Sequence, residues 1–159
     1  MNVFSEIFEI TETIRKNFEA LEAETNAILS CPPEDIEAHT ENRVNYLEEN
    51  KKLYDEIFAF CAVTENGEEL KGAVKNTAER EQLSEDFRKV FDGFQEVYAI
   101  VHRVVNIDSQ VTERIERERE RILEQIKNMN EGQEAKAAKF YAASQSGSEM
   151  HVPDTKRSV

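Results

Sequence analysis

The sequence predicts an all-α fold, an elongated antiparallel helical hairpin plus a long third helix in a coiled-coil-like bundle, ending in a flexible C-terminal tail. Three observations carry this. From Leu83 to Met129 an apolar residue returns every three or four positions, through Phe87, Val90, Phe94, Val97, Val101, Val104, Val111, Ile115, Ile122 and Ile126. The N-terminal segment repeats the pattern in Phe4, Ile7, Thr11, Ile14, Phe18, Leu21, Thr25 and Ile28. Between them, Cys31-Pro32-Pro33 and Thr64-Glu65-Asn66-Gly67 punctuate the chain.

The first helix is expected over residues 2–29. It should stop at the prolines, because each removes a backbone donor and disfavours the helical conformation of the residue before it. A second helix is expected over 33–62, with Pro33 in its first turn and Glu34 and Asp35 opposing the positive end of the helix dipole. Its inward stripe reads as Ile36, Thr40, Leu47, Tyr54, Ile57 and Cys61. After the turn, Asn66 and Glu69 stand at capping-box spacing and a helix should restart. Gly72 and the polar run Asn76-Thr77-Ala78-Glu79-Arg80 leave a break open before residue 83, where Asn76 could cap a fresh start.

The third helix is expected over 83–130 and, at about 1.5 Å per residue, should overhang the shorter hairpin. It is richly apolar to Val105, with Phe91, Tyr98 and Ile100 beside the seam, and thin from Asn106 to Met129. Asn130-Glu131-Gly132 reads as its end. Residues 1–131 thus form one elongated bundle, and 132–159 a weakly helical segment passing into a disordered tail rich in serine and glycine.

Net charge is −13 and is uneven: residues 1–70 hold 17 acidic and 5 basic side chains, residues 71–159 hold 16 and 15. Such a balance opposes binding to phosphate backbones and anionic bilayers, so neither nucleic acid nor a membrane is an expected partner. No apolar run is long enough to span a bilayer, and Met1–Glu6 lacks the charged and apolar regions of a signal peptide, so a cytoplasmic location is expected. Cys31 and Cys61 form neither a C-x-x-C unit nor a disulfide framework, and read as free structural thiols.

Catalytic chemistry finds no foothold. His39, His102 and His151 lie far apart, with no Glu-x-x-His pair, so no metal is expected. The five glycines make no phosphate-binding loop and there is no G-x-S-x-G elbow, so no cofactor and no enzyme activity are expected.

The thin half of the long helix is the candidate partner surface. Its seam residues Val111, Ile115, Ile122, Ile126 and Met129 need a cover, which could be a client helix or a second copy of the chain. Asp108 interrupts the seam, either as a hydrated residue tuning register or as a client contact. Phe140 and Tyr141 fall beyond the expected helix end, where they could bind a partner or fold back. From Glu113 to Arg121, opposite charges recur at helical spacing and support a solvated helical face.

Taken together, the chain resembles the flagellar type III export chaperones of the FlgN/FliT kind, small acidic all-helical proteins. The resemblance lies in the run Glu41-Asn42-Arg43-Val44-Asn45-Tyr46-Leu47, the segment Val104-Val105-Asn106-Ile107-Asp108-Ser109-Gln110, the late Tyr141, followed here by Ala142 rather than the family's usual glycine, and the closing Val152-Pro153-Asp154-Thr155-Lys156. It implies a cytosolic chaperone without ATPase activity that binds the C-terminal helical region of a hook-associated or filament-cap protein. Such a chaperone prevents premature assembly and delivers its client to an export-gate component. The alternative readings are a structural coiled-coil homodimer and an adaptor without an export client.

Overall fold

Asn2 starts the first helix by accepting the Phe4 backbone N–H on its side chain at 2.8 Å, which satisfies one of the donors a helix N-terminus leaves free. The computed structural model describes residues 2–147. Within them the chain is all-α, with α1 over Val3–Ser30, a 3-10 turn at Pro33–Asp35, and α2 over Ile36–Val63. There follow α3 over Gly67–Lys75, a second 3-10 turn at Arg80–Gln82, and α4 over Glu85–Gly147. The expected tail beyond residue 147, including Val152–Lys156, lies outside the described residues.

Two units divide the chain at 115/116. Residues 1–115 contain α1, α2, α3 and the first half of α4; the remainder of α4 belongs to the second unit.

In the first unit α1 behaves as its pattern predicts. Ile7, Thr11, Ile14, Leu21, Thr25 and Ile28 are buried, and the Thr11 and Thr25 hydroxyls donate to the carbonyls of Ile7 and Leu21, so neither threonine hides an unsatisfied group. Pairings fix the directions of the neighbours. Asn17 meets Asn50 and Glu24 meets His39, so α2 returns antiparallel to α1. Phe4 packs on Phe87 with ring centroids 5.4 Å apart, and Glu22 pairs with Arg103, so α4 runs parallel to α1. Gly93 allows that approach: a β-carbon there would lie 3.1 Å from Thr11 Cγ2. The core joins Ile7, Ile14, Ile57, Leu70, Val74, Phe87, Val90, Phe94 and Val97, and a smaller cluster joins Leu21, Ile100 and Val104.

Helix α2 corrects the expected stripe. Of the expected residues only Leu47, 48 % exposed, faces outward; Ile36, Thr40, Tyr54, Ile57 and Cys61 are at least partly buried, and His39, Arg43, Tyr46 and Asn50 fill the middle of the inward face. Polar residues occupy this face because each has a partner: His39 with Glu24, Arg43 with Asp108, and Asn50 with Asn17 Nδ2 at 2.9 Å and the Ile14 carbonyl at 3.4 Å. Hydrophobic periodicity cannot find a face built from polar residues whose partners come from other helices.

The α2–α3 turn differs in its chemistry from the expected capping box. Asn66 is left-handed, with φ 65°, and its side chain makes no cap. Glu69 instead accepts the Ser84 N–H at 3.3 Å, at the entry to α4. Asn76, with φ 57°, closes α3 rather than opening a new helix; its side-chain amide donates to the carbonyls of Ala73 and Phe91. At Gly67 a β-carbon would fall 1.8 Å from the Cys61 carbonyl oxygen, so the turn has no room for a side chain. Gly67→Ala is therefore expected to destabilise the fold by about 1–3 kcal/mol, outweighing the roughly 0.4–1 kcal/mol that loss of glycine flexibility would add. Urea denaturation measures the difference.

At the far end of the hairpin Arg114 acts as a remote cap. Its guanidinium donates to the carbonyls of Ile28, Leu29 and Cys31, at 3.4, 3.0 and 2.8 Å. Helix α1 has no basic residue in its own last turn, so α4 supplies the cation that its negative end favours.

Two exposed ion pairs make the first unit sensitive to acid. Arg103 grips Glu22 through two hydrogen bonds and Arg80 grips Asp92 likewise, and these bonds hold both carboxyls below their ordinary values. A depressed folded-state pKa gives stability that is present above the unfolded value and lost as pH falls through the folded one. The melting temperature should accordingly drop on acidification through and below about pH 4, the ordinary carboxylate range. It should drop less in an Arg80→Met/Arg103→Met double variant.

The helix end expected at Asn130–Gly132 does not occur. Helix α4 continues to Gly147, and Gly132 has no positive φ. One interior glycine costs about 1 kcal/mol relative to alanine. The stretch from Glu131 to Ala143 is otherwise built from glutamate, glutamine, lysine and alanine, with Phe140 and Tyr141, and these strong helix formers outweigh that cost.

Candidate partner-binding surface

The eight residues expected to meet a partner fall into two groups. Asp108, Val111 and Ile115 belong to the first unit; Ile122, Ile126, Met129, Phe140 and Tyr141 belong to the second.

In the first unit the seam shifts. Asp108 is not a seam residue: its exposed carboxylate accepts from Arg43 Nη2 at 2.8 Å. Ile107, half-buried, stands one position earlier, between buried Val104 and buried Val111. Val111 is only 2 % exposed, which removes it from any surface a partner could reach. Ile115 is half-buried, next to Arg114 and its grip on the end of α1. The difference is local: Val104 and Val111 keep the expected register, and between them a step of three rather than four brings Ile107 inward and leaves Asp108 facing Arg43.

The second unit presents an apolar stripe that Gln133 interrupts between Met129 and Phe140. Ile122, Ile126, Met129 and Phe140 are 47, 49, 63 and 69 % exposed. At about 100° per residue these four fall within an arc of roughly 60° on one face, and from Ile122 to Phe140 the stripe runs about 27 Å. Leu123, also exposed, widens its upper edge and was not singled out from the sequence, because it lies off the three-four alternation. Phe140 and Tyr141 are helical residues, their rings edge to face with centroids 6.2 Å apart. Among the described residues this unit contains only helix, so none of its own elements covers the stripe.

The flanks are charged in balance. Residues 116–147 hold six acidic and six basic side chains, against the strongly acidic first 70 residues. Arg121 donates to Glu118 at 2.8 Å within this run, and such pairs help keep an exposed helix wound.

Elsewhere, buried titratable groups serve the fold. Burial pushes the Tyr54 and Tyr98 phenols up, and Tyr98 donates its hydroxyl to the Val74 carbonyl at 3.1 Å. The two cysteines are unbonded and half-buried, with burial raising the Cys61 thiol. Among the described residues no group of three or more metal-ligating side chains comes together, and no helix is long and apolar enough to cross a membrane. No protein-family model matches the chain, and neither a curated protein nor a solved structure does.

Proposed function

We propose that this chain is a non-enzymatic chaperone of flagellar type III export, holding the C-terminal helical region of a hook-associated or filament-cap protein and delivering it to an export-gate component. The observation that carries the reading is the exposed stripe of Ile122, Ile126, Met129 and Phe140 on a helix with mixed-charge flanks. An amphipathic client helix of about 18 residues would match its length, at about 1.5 Å per residue, and would bury apolar side chains that otherwise face water. Occupying those client residues is also what would delay the client's own assembly. The work requires neither a nucleotide nor a metal, and a cytoplasmic location follows from the same role.

A second reading, a structural homodimer joined through the same stripe, draws on the zero net charge of residues 116–147, which leaves self-association unopposed there. The test is titration calorimetry of the purified chain with C-terminal helical fragments of hook-associated and filament-cap proteins, alongside sedimentation of the chain alone. A defined complex with one fragment supports the chaperone reading. A stable dimer that binds no fragment favours the homodimer.

A further inference from the structure

At the opposite end of the first unit from the Arg114 cap, α1 and α2 enclose a shallow cleft of about 600 Å³. Its apolar surface comes from Ile10, Ala59, Phe60 and Val63, and its rim from Glu6, Glu9 and Glu56. Val63 is 83 % exposed, the most exposed of the large apolar side chains described. None of the three rim glutamates has an ion-pair partner among the described residues, whereas Glu12, Glu19, Glu22, Glu24, Asp92 and Asp108 all do.

The cleft also receives the negative end of α2. That helix finishes at Val63 and has no basic residue in its last turn, so the partial charge of its terminal carbonyls is not offset from within the helix. Three carboxylates and a helix C-terminus thus surround one apolar floor. The combination disfavours an acidic or purely apolar occupant and an anionic lipid surface, and it favours a cation-flanked apolar side chain.

We propose that this cleft docks a basic amphipathic helix of a partner protein, with one or two aliphatic or aromatic anchors on Phe60 and Val63 and Lys or Arg side chains reaching Glu6, Glu9 and Glu56. The surface lies wholly within residues 6–63 and is independent of the stripe on residues 122–140, so it holds whether or not the chain is an export chaperone.

The probe is a fluorescein-labelled synthetic helix with two leucines at i and i+4 flanked by lysines, compared with the same peptide flanked by glutamates, using fluorescence anisotropy on the full chain at low and moderate salt. The lysine peptide should bind and the glutamate peptide should not. Val63→Asn, which removes the apolar contact at a solvent-exposed position, should weaken binding about tenfold, the equivalent of about 1.4 kcal/mol. Glu6→Gln/Glu9→Gln/Glu56→Gln should weaken it at least as much, while the control Glu34→Gln/Glu37→Gln/Glu41→Gln should leave it within twofold. Equal binding of the two peptides would overturn the proposal, as would equal losses in the two glutamine triples, since the effect would then be net charge alone. So would a chain that self-associates in sedimentation and becomes monomeric on Val63→Asn, because a second copy would then be the occupant.

Discussion

Phe94→Ala is expected to remove about 3–5 kcal/mol from the stability of the first unit. Phe94 is fully buried where the helices converge, with its ring 5.7 Å from that of Tyr54 on α2 and 6.4 Å from that of Tyr98 on α4. Tyr98 in turn bonds the end of α3, so the cavity left by alanine would lie beneath three helices. The loss is large beside the roughly 5–15 kcal/mol that holds a typical domain folded. Urea denaturation followed by circular dichroism measures it, and if the alanine variant does not fold, Phe94→Leu should show a smaller loss in the same direction. Phe140→Ala is the internal contrast: that ring is 69 % exposed, and its removal should change stability by no more than about 0.5 kcal/mol. Equal effects of the two variants would mean that the core is wrongly placed.

The second large effect concerns binding. Ile122→Asp/Ile126→Asp is expected to abolish capture of a client helix while leaving helicity and melting temperature close to the parent protein. Both side chains are about half exposed, so little of the fold depends on them. In a complex each would be buried, and a fully buried isoleucine contributes roughly 1.5–3 kcal/mol. Losing two such contacts and introducing two carboxylates against an apolar client should cost at least about a hundredfold in affinity, or roughly 2.7 kcal/mol. Ile115 is a poorer target because it is half-buried in the first unit, where a charge would perturb the fold as well as the surface. Sedimentation separates the two readings of the stripe: loss of client binding with unchanged mass supports the chaperone, and loss of self-association supports the homodimer. A globally unfolded variant would contradict both, since it would show the stripe to be part of the fold.

Much of the fold was legible because apolar periodicity and backbone chemistry agreed. In α1 the spacing of Ile7, Thr11, Ile14, Leu21, Thr25 and Ile28 is the buried set itself, and Pro32 and Pro33 ended the helix as their missing donors require. Where the two signals parted, the reading erred. The inward face of α2 is polar over His39, Arg43 and Asn50, so a search for apolar residues selected the outward-facing Leu47. Gly132 looked like a helix end, although its neighbours are strong helix formers. On the candidate surface, Ile122, Ile126 and Met129 were visible as an apolar stripe, whereas Phe140 joins their face only because the helix continues past Gly132. The burial of Val111 and the pairing of Asp108 with Arg43 were not visible, because both depend on which face of α4 the hairpin occupies.

By itself, then, the sequence determined the helical class, the hairpin and its proline stop, and the acidic character of the first 70 residues, because these follow from local geometry and composition. Only the tertiary structure decided which polar groups could be buried, that Asn76 closes α3 rather than opening a helix, and that Arg114 caps α1 from 83 to 86 residues away. The same holds for the acid-rimmed cleft, whose walls come from both ends of the hairpin's sequence. The physical reason for the polar groups is that a polar side chain is buried at low cost when another element delivers its partner, and for the cleft that two segments distant in sequence must be packed side by side; both are properties of packed helices rather than of any stretch of chain.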